Sequence, residues 1–368
     1  MDIYLDNIIF YLQKSGGISV YWSELIRGLT ANRQHIVLIE PSGHSENIFY
    51  KNAEMQGLPR HNTLWRPSIE RYLPIRARIS NPAIVHSSYY RIMPHSKAAN
   101  IVTVHDFTYE LYRNGIAKHT HHWQKRHAIL HADGIICVSE NTKSDLLKYF
   151  PEVPEQKIRV IHHGVSDAYR PLADKNIEHY PELGGILDKK YAVYVGDRRG
   201  YKNFRLAIES LAIHGAMHLV IVGGGNLTGE EVELLEQQLP NRFHYAHEID
   251  NQKLNILYNF AMCLIHPSAY EGFGMPVLEA LTAGCPVVAL CMSSIPEICG
   301  GACACARTAE PEAFVERIKL LENAEYRKHA IAQGRRRSAS FSWEKCMAET
   351  LGVYRDVYTE KFGERTVQ

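Results

Sequence analysis

The chain of 368 residues contains no run of about 18 consecutive apolar residues, the length a helix needs to cross a bilayer. Its opening, Met1-Asp2-Ile3-Tyr4-Leu5-Asp6, has neither the basic nor the apolar part of a secretory signal, so the expectation is a cytoplasmic protein. An excess of one charge is also missing. With 41 Lys and Arg against 40 Asp and Glu, the composition excludes disordered classes and the broad basic surface of non-specific nucleic-acid binding. Eight cysteines are too few for a disulfide scaffold. Cys137, Cys263, Cys285 and Cys291 lie inside apolar runs and are expected to be reduced core thiols. The cluster Cys299-Gly-Gly-Ala-Cys303-Ala-Cys305 lacks a second ligand pair at zinc-module spacing, so no metal is expected there. No Gly-Lys-Ser/Thr is present, which excludes a Walker-type nucleotide site. In Val222-Gly-Gly-Gly-Asn-Leu-Thr228 the third glycine of a dinucleotide fingerprint would fall on Thr228, which disfavours a nicotinamide dehydrogenase. An Asp-x-Asp pair that could hold a divalent ion is absent as well.

What is present is a regular alternation. Short β-branched runs alternate with amphipathic stretches, the pattern of parallel sheets built from strand–helix–strand units. In the first half strands are expected at 1–9, 36–39, 83–86, 101–104, 134–138 and 160–161, and helices at 18–29, 119–132 and 140–150. The pattern restarts with a strand at 191–195, a helix at 204–214 and a strand at 217–222, and continues to a strand at 287–290. Between the halves periodicity is lost from Tyr169 to Asp188, where a linker is expected. The length exceeds what one core usually sustains, so two domains are expected: 1–168 joined by a terminal helical segment 342–368, and 169–341, with a cleft between them. The neutral total hides an asymmetry. Residues 1–165 carry 19 basic against 14 acidic side chains and 13 of the 20 His.

The stretch Cys263-Leu-Ile-His-Pro-Ser-Ala-Tyr-Glu271-Gly-Phe-Gly-Met-Pro276-Val-Leu-Glu279 reads as a strand, a glycine-bearing loop and a Pro-initiated helix, followed after Gly284 by another strand. Such a loop lies beyond the carboxyl end of a parallel strand, where these sheets bind ligands, and the helix N-terminus suits a phosphate. Two glutamates eight residues apart would repel a phosphate but can accept hydrogen bonds from sugar hydroxyls on either side of it.

The segment Glu271-Gly-Phe-Gly-Met-Pro-Val-Leu-Glu279 resembles the Glu-(seven residues)-Glu motif of family 4 retaining glycosyltransferases. The resemblance implies the GT-B fold, α/β with two facing Rossmann-like domains, parallel sheets and an interdomain cleft. It implies further that Glu271 contacts the donor hexose, that Glu279 binds the nucleotide ribose, and that the loop Gly272, Phe273, Gly274 and Met275 holds the donor diphosphate. Tyr194-Val-Gly196-Asp-Arg-Arg-Gly-Tyr-Lys202-Asn203 resembles the segment whose Arg and Lys grip that diphosphate. Lys202 matches directly. Asp197 stands where the family often has Arg, so the partner cation is Arg199 or Arg198, with Arg199 preferred. Ile101-Val-Thr-Val-His105-Asp106 resembles the His-Asp segment of mannosyl-type members and makes His105 a candidate for binding a donor-sugar hydroxyl or accompanying proton transfer from the acceptor, and Asp106 a candidate for holding the His105 tautomer or meeting the acceptor. Ser15-Gly16-Gly17 resembles the amino-terminal loop that approaches the diphosphate.

The expectation is therefore a mannosyltransferase-like enzyme of the kind found in bacterial surface-polysaccharide and lipopolysaccharide assembly. It would move a hexose, mannose from a GDP-sugar foremost, to a hydroxyl of a glycan or lipid-linked oligosaccharide, with no metal or other cofactor. A UDP-sugar-dependent enzyme and an inactive glycan-assembly partner are the alternatives. Arg60 to Arg78 interleaves cations with aromatics and could touch an anionic membrane surface, making the protein peripheral at the inner face of the cell membrane. His119-Thr-His121-His122-Trp-Gln-Lys-Arg-His127 reads as a basic helix face.

Overall fold

The computed structural model describes residues 1–52, 55, 57–246 and 249–363. The chain divides into two compact units, Met1–Gly164 with Ser342–Gln368, and Val165–Phe341, so residues 165–168 fall in the second unit.

The first unit is built on a seven-stranded parallel sheet of β1 (Asp2–Asp6), β2 (His35–Glu40), β3 (Arg60–Asn62), β4 (Ala83–Ser87), β5 (Ala98–Val104), β6 (Gly134–Cys137) and β7 (Ile158–Val160). The strand order is β3-β2-β1-β4-β5-β6-β7. The central strands β4, β5 and β6 are buried along their whole length, as expected of a sheet covered on both faces. The helix Gly17–Ala31 lays Tyr21, Trp22, Leu25, Ile26 and Leu29 into the core. This apolar stripe at helical spacing is what fixes its orientation. The terminal helix Trp343–Phe362, opened by the Ser342 side chain accepting from the Lys345 amide, folds back onto this sheet. There the Tyr354 hydroxyl meets Nδ1 of His86, and Lys361 bridges Asp133 at 2.7 Å. Gly164 is required at this return, because a Cβ there would lie 2.1 Å from the Trp343 amide nitrogen.

Two expectations change in this unit. Arg60–Asn62 is the edge strand β3, paired with β2, and Arg60 is tied to the buried Glu40 at 3.0 Å. In the remainder of the 60–78 stretch Glu70 and Ile75 are buried, while Leu64, Trp65, Ile69 and Tyr72 are exposed. The helix Gly115–His131 is also more than a basic face. Trp123 is exposed, but His121, Gln124 and Lys125 are buried, and Lys125 pairs with the equally buried Glu110 at 2.8 Å.

The second unit carries a six-stranded parallel sheet of β8 (Tyr191–Val195), β9 (His218–Val222), β10 (Phe243–Ala246), β11 (Cys263–His266), β12 (Val287–Leu290) and β13 (Ala304–Ala306), in the order β10-β9-β8-β11-β12-β13. Sequence order reverses between β8 and β11, and a ligand crevice is expected beyond the carboxyl ends of those two strands. The stretch expected as a linker is packed structure. The Arg170 and Leu172 amides donate to the side-chain oxygens of Asn255 and Asn259 at 3.0 and 2.9 Å, and the Tyr169 hydroxyl donates to Asn251 at 3.2 Å. Asn255 and Asn259, one turn apart on the helix Asn251–Phe260, thus supply the backbone partners that a regular element would otherwise provide.

The cysteines also depart from expectation. Cys137, Cys263, Cys285 and Cys346 are free and buried, but Cys291 is bonded to Cys305 and Cys299 to Cys303. Parallel pairing of β12 with β13 brings the first pair together, and the short turn after the helix Ile295–Cys299 closes the second.

Candidate functional site

In the second unit, the segments that follow β8 and β11 are stitched to each other. The Ala269 amide donates to the Tyr201 carbonyl at 2.8 Å, and the Asn203 side chain donates to the Pro267 carbonyl at 2.9 Å. Asn203 adopts a left-handed backbone (φ 51°), which asparagine tolerates better than most residues, and it caps the helix Phe204–His214. These ties place Lys202, from the short turn Gly200–Lys202, against Glu271, at distances of 2.7 and 2.8 Å from its two carboxylate oxygens. Nε2 of His266, the last residue of β11, stands 3.0 Å from Oε1 of Glu271. Burial pushes the Glu271 carboxyl upward, but the Lys202 ammonium and His266 outweigh it and hold the group well below the usual carboxylate range.

The loop from Glu271 leads into the helix Met275–Ala283 through Gly274, whose φ of 105° is left-handed, with Pro276 in the first turn. Glycine is needed at this position twice over, since a Cβ would also meet Ile295 Cδ1 at 2.8 Å. The Phe273 side chain is buried against Phe341 with ring centroids 6.0 Å apart. Among the expected diphosphate-loop residues Phe273 can therefore offer a ligand its backbone only. Glu279, on the first turns of the helix, receives the Tyr258 hydroxyl at 3.3 Å. Burial raises its pKa to about 7, partly offset by hydrogen bonds from Tyr258 and Tyr169. Tyr169 came from the expected linker, and nothing in its local sequence marked it.

The two candidate arginines have different surroundings. The Arg198 guanidinium is almost buried. It donates to the carbonyls of Gly223, Gly225 and Asn226 and pairs with Glu231 at 2.9 Å. Arg199 is half-exposed and lies beside Asp197. Arg198 is thus committed to holding the loop after β9, and Arg199 is the cation that presents itself to solvent.

In the first unit, His105 follows β5 and its ring packs on Tyr21 at 5.2 Å and His163 at 5.7 Å. Burial lowers its pKa to about 4, with Asp106 opposing and Lys125 assisting the shift. The imidazole is therefore neutral at physiological pH. Asp106 accepts the amide of Thr108, the first residue of the next short helix, at 2.9 Å, and its carbonyl accepts from Lys125 at 2.9 Å. Gly16 and Gly17 open the helix that carries Tyr21, so the glycine pair and His105 are linked through that ring. Lys125 and Glu110 were missed by the sequence reading, because a buried ion pair leaves no local signature in sequence. Among the described residues no helix is long and apolar enough to cross a membrane.

Comparison with known proteins divides the chain in the same way. Residues 177–337 match the family described as Glycosyl transferases group 1, and residues 15–169 match Glycosyltransferase Family 4. The O-antigen chain mannosyltransferase B of Escherichia coli is 28% identical over 230 residues, covering 60% of each chain. The MMP alpha-(1->4)-mannosyltransferase of Mycolicibacterium hassiacum is 28% identical over 229 residues, 60% of this chain and 53% of that one. The matched region therefore spans 60% or less of the length of these curated relatives. In architecture, the sucrose-phosphate synthase of Thermosynechococcus elongatus superposes with a TM-score of 0.73 at 18% identity, covering 98% of this chain and all of that one.

Proposed function

Because the chain belongs to the family 4 glycosyltransferases of GT-B architecture, we propose that it transfers a hexosyl group from a nucleoside-diphosphate sugar to a hydroxyl of a glycan or lipid-linked oligosaccharide, with retention at the anomeric carbon. The observation that carries this reading is the Lys202–Glu271 pair beyond the carboxyl ends of β8 and β11, with Glu279 on the helix that follows the same loop. Two carboxylates flank a helix N-terminus there, with a cation between strand ends, which suits ribose, diphosphate and hexose in succession.

In this reaction the bond between the anomeric carbon and the diphosphate oxygen breaks. The electron pair leaves with the nucleoside diphosphate, the acceptor oxygen forms the new bond, and the acceptor's proton passes to the departing diphosphate oxygen. Lys202, Arg199 and the amides of residues 272–275 neutralise the leaving diphosphate, without a divalent ion. Glu271 orients the hexose and Glu279 accepts from the ribose hydroxyls. On the first unit, neutral His105 accepts a hydrogen bond from a sugar hydroxyl, with Gly16 and Gly17 opening an anion-compatible helix. Asp106 shapes that strand end rather than moving a proton, since one of its carboxylate oxygens is committed to the Thr108 amide.

Mannose from GDP-mannose is the donor we favour, because two relatives are named as mannosyltransferases. Polysaccharide or O-antigen synthesis is the corresponding setting, and the exposed Leu64–Tyr72 stretch suits an anionic membrane surface. A thermal-shift panel of GDP-, UDP-, ADP- and dTDP-sugars tests the reading. A shift with one nucleotide family, largest for one hexose, is expected, and no shift with any nucleotide sugar would remove it.

A further inference from the structure

The residues that hold Glu271 lie on a turn that carries a cysteine bridge. The ladder between β12 and β13 pairs Ala289 with Cys305 and Leu290 with Ala306, and the Cys291 amide extends it by donating to the Ala306 carbonyl at 3.0 Å. This brings the Cα atoms of Cys291 and Cys305 to 5.4 Å, and the two sulfurs are bonded. Both residues are partly exposed, whereas Cys299 and Cys303 are buried.

Two residues after Cys291 the chain turns through Ser293, whose φ of 58° is left-handed, an unusual state for serine that persists only when neighbours enforce it. Its hydroxyl donates to the Glu271 carbonyl at 2.6 Å and accepts from the Glu271 amide at 3.2 Å. The buried hydroxyl of Ser294 is shared between the carbonyls of Glu271 and Phe273, at 3.0 and 2.8 Å. Ile295 then closes against Gly274. The turn thus follows the donor loop from Glu271 to Gly274. One of its ends is anchored by the Cys291–Cys305 bond.

We propose that Cys291 and Cys305 form a reversible dithiol–disulfide modification site whose oxidised form holds the Ser293–Ser294 turn, and through it the Glu271 carboxylate, in place for the donor sugar. Ser293 and Ser294 are positioning residues in this scheme. Reduction takes two electrons from an external dithiol. One of its thiolates attacks a sulfur of the pair to give a mixed disulfide, its second thiolate displaces that link, and Cys291 and Cys305 each end as a thiol after gaining a proton, while the reductant closes to its own disulfide. The consequence for the donor rests on the glycosyl-transfer reading; the consequence for the loop does not.

The test compares the full chain oxidised with diamide and reduced with dithiothreitol, the state of each cysteine being mapped by alkylation and peptide mass analysis. Amide hydrogen exchange across 268–276 is expected to be several-fold faster in the reduced form. The KM for the nucleotide sugar is expected to rise about tenfold, and affinity for the free nucleoside diphosphate to fall with it, because the turn also holds Phe273 and Gly274 of the diphosphate loop. Cys291→Ser should reproduce the reduced behaviour under diamide, as should Ser293→Ala, and the Cys299→Ser/Cys303→Ser double variant should not. Equal exchange in both states with the 291–305 bond shown to be cut, or thiols at 291 and 305 that diamide cannot close, would overturn the proposal. A redox-dependent loop in a protein that binds no nucleotide sugar would instead sink the glycosyl-transfer reading and leave the modification site standing.

Discussion

Lys202 Nζ stands 2.7 and 2.8 Å from the two carboxylate oxygens of Glu271, a mostly buried ion pair between a residue expected to meet the donor diphosphate and one expected to meet the donor sugar. Without a donor, each group satisfies the other. A bound diphosphate competes for the same ammonium, so donor binding exchanges one charge-assisted contact for another and leaves the carboxylate to sugar hydroxyls.

Lys202→Ala leaves Glu271 as a mostly buried carboxylate without its main counter-charge. Stability should fall by about 1–3 kcal/mol, and nucleotide-sugar affinity by roughly 10- to 100-fold. Adding Glu271→Gln to this variant should recover part of the stability and none of the affinity. Chemical denaturation and calorimetry of the two variants check both parts, and unchanged affinity in Lys202→Ala would remove the diphosphate assignment.

The arginine pair separates scaffold from site. Arg198→Ala removes donors from the carbonyls of Gly223, Gly225 and Asn226 and leaves Glu231 without its counter-charge, so the melting temperature should drop by several degrees. Arg199→Ala, at a half-exposed position, should leave the melting temperature within about a degree while weakening nucleotide-sugar binding by about 1 kcal/mol. The reverse pattern would exchange their roles.

Glu279 gives a pH dependence with a definite sign. Its carboxyl, raised to about 7 by burial, is largely protonated below that pH, and it must ionise to accept from two ribose hydroxyls. Nucleotide-sugar affinity should therefore rise with pH up to about 7 and level off above. The raised folded-state value also means that this group's contribution to the stability of the donor-free protein is present at low pH and lost as pH rises through about 7. Glu279→Gln should flatten the binding profile, and titration calorimetry between pH 5.5 and 8.5 reads it.

Much of this site was legible because it is local. Tyr191–Val195 and Val287–Leu290 were read to the residue, since a β-branched run bounded by glycine or proline is self-defining. Glu271, Glu279 and Lys202 stood out because the loop, the proline and the helix are contiguous. What the sequence hid depends on partners far along the chain. Tyr169 reaches Glu279 only because asparagines more than eighty residues later pin the Arg170 and Leu172 amides that follow it, and Lys125 finds Glu110 only when two helices pack. The cysteine pairing failed for the same reason. Apolar context indicated burial correctly for Cys137, Cys263 and Cys285, but Cys291 is partly exposed, and whether it has a bonding partner depends on the register between β12 and β13, which no local pattern encodes.

The 64–72 surface makes a lipid prediction that uses no enzyme assay. Leu64, Trp65, Ile69 and Tyr72 are exposed alongside Arg66, and the one acid there, Glu70, is buried against Arg91. Vesicles containing anionic lipid should retain the chain at low salt and release it as salt rises, while neutral vesicles should not retain it. Trp65→Ala with Arg66→Ala should abolish retention at an unchanged melting temperature. Salt-independent or absent retention would leave the stretch an ordinary surface.

His105 offers the sharpest test of the first unit's chemistry. Its half-buried ring lies between Tyr21 and His163, and burial carries its pKa down to about 4. Asp106 pulls upward, but the Lys125 ammonium opposes it, so the ring is neutral from about pH 5 upward and serves as an acceptor rather than an acid. Activity that needs this neutral ring should show an acid limb near pH 4 and none near 6.5. Lys125→Gln removes a charge that holds the value down, so the limb should move to higher pH. Ring titration by NMR gives the same shift without turnover. A limb that stays in place when the ring has demonstrably shifted would remove His105 from the reaction and reduce Lys125 to a packing role.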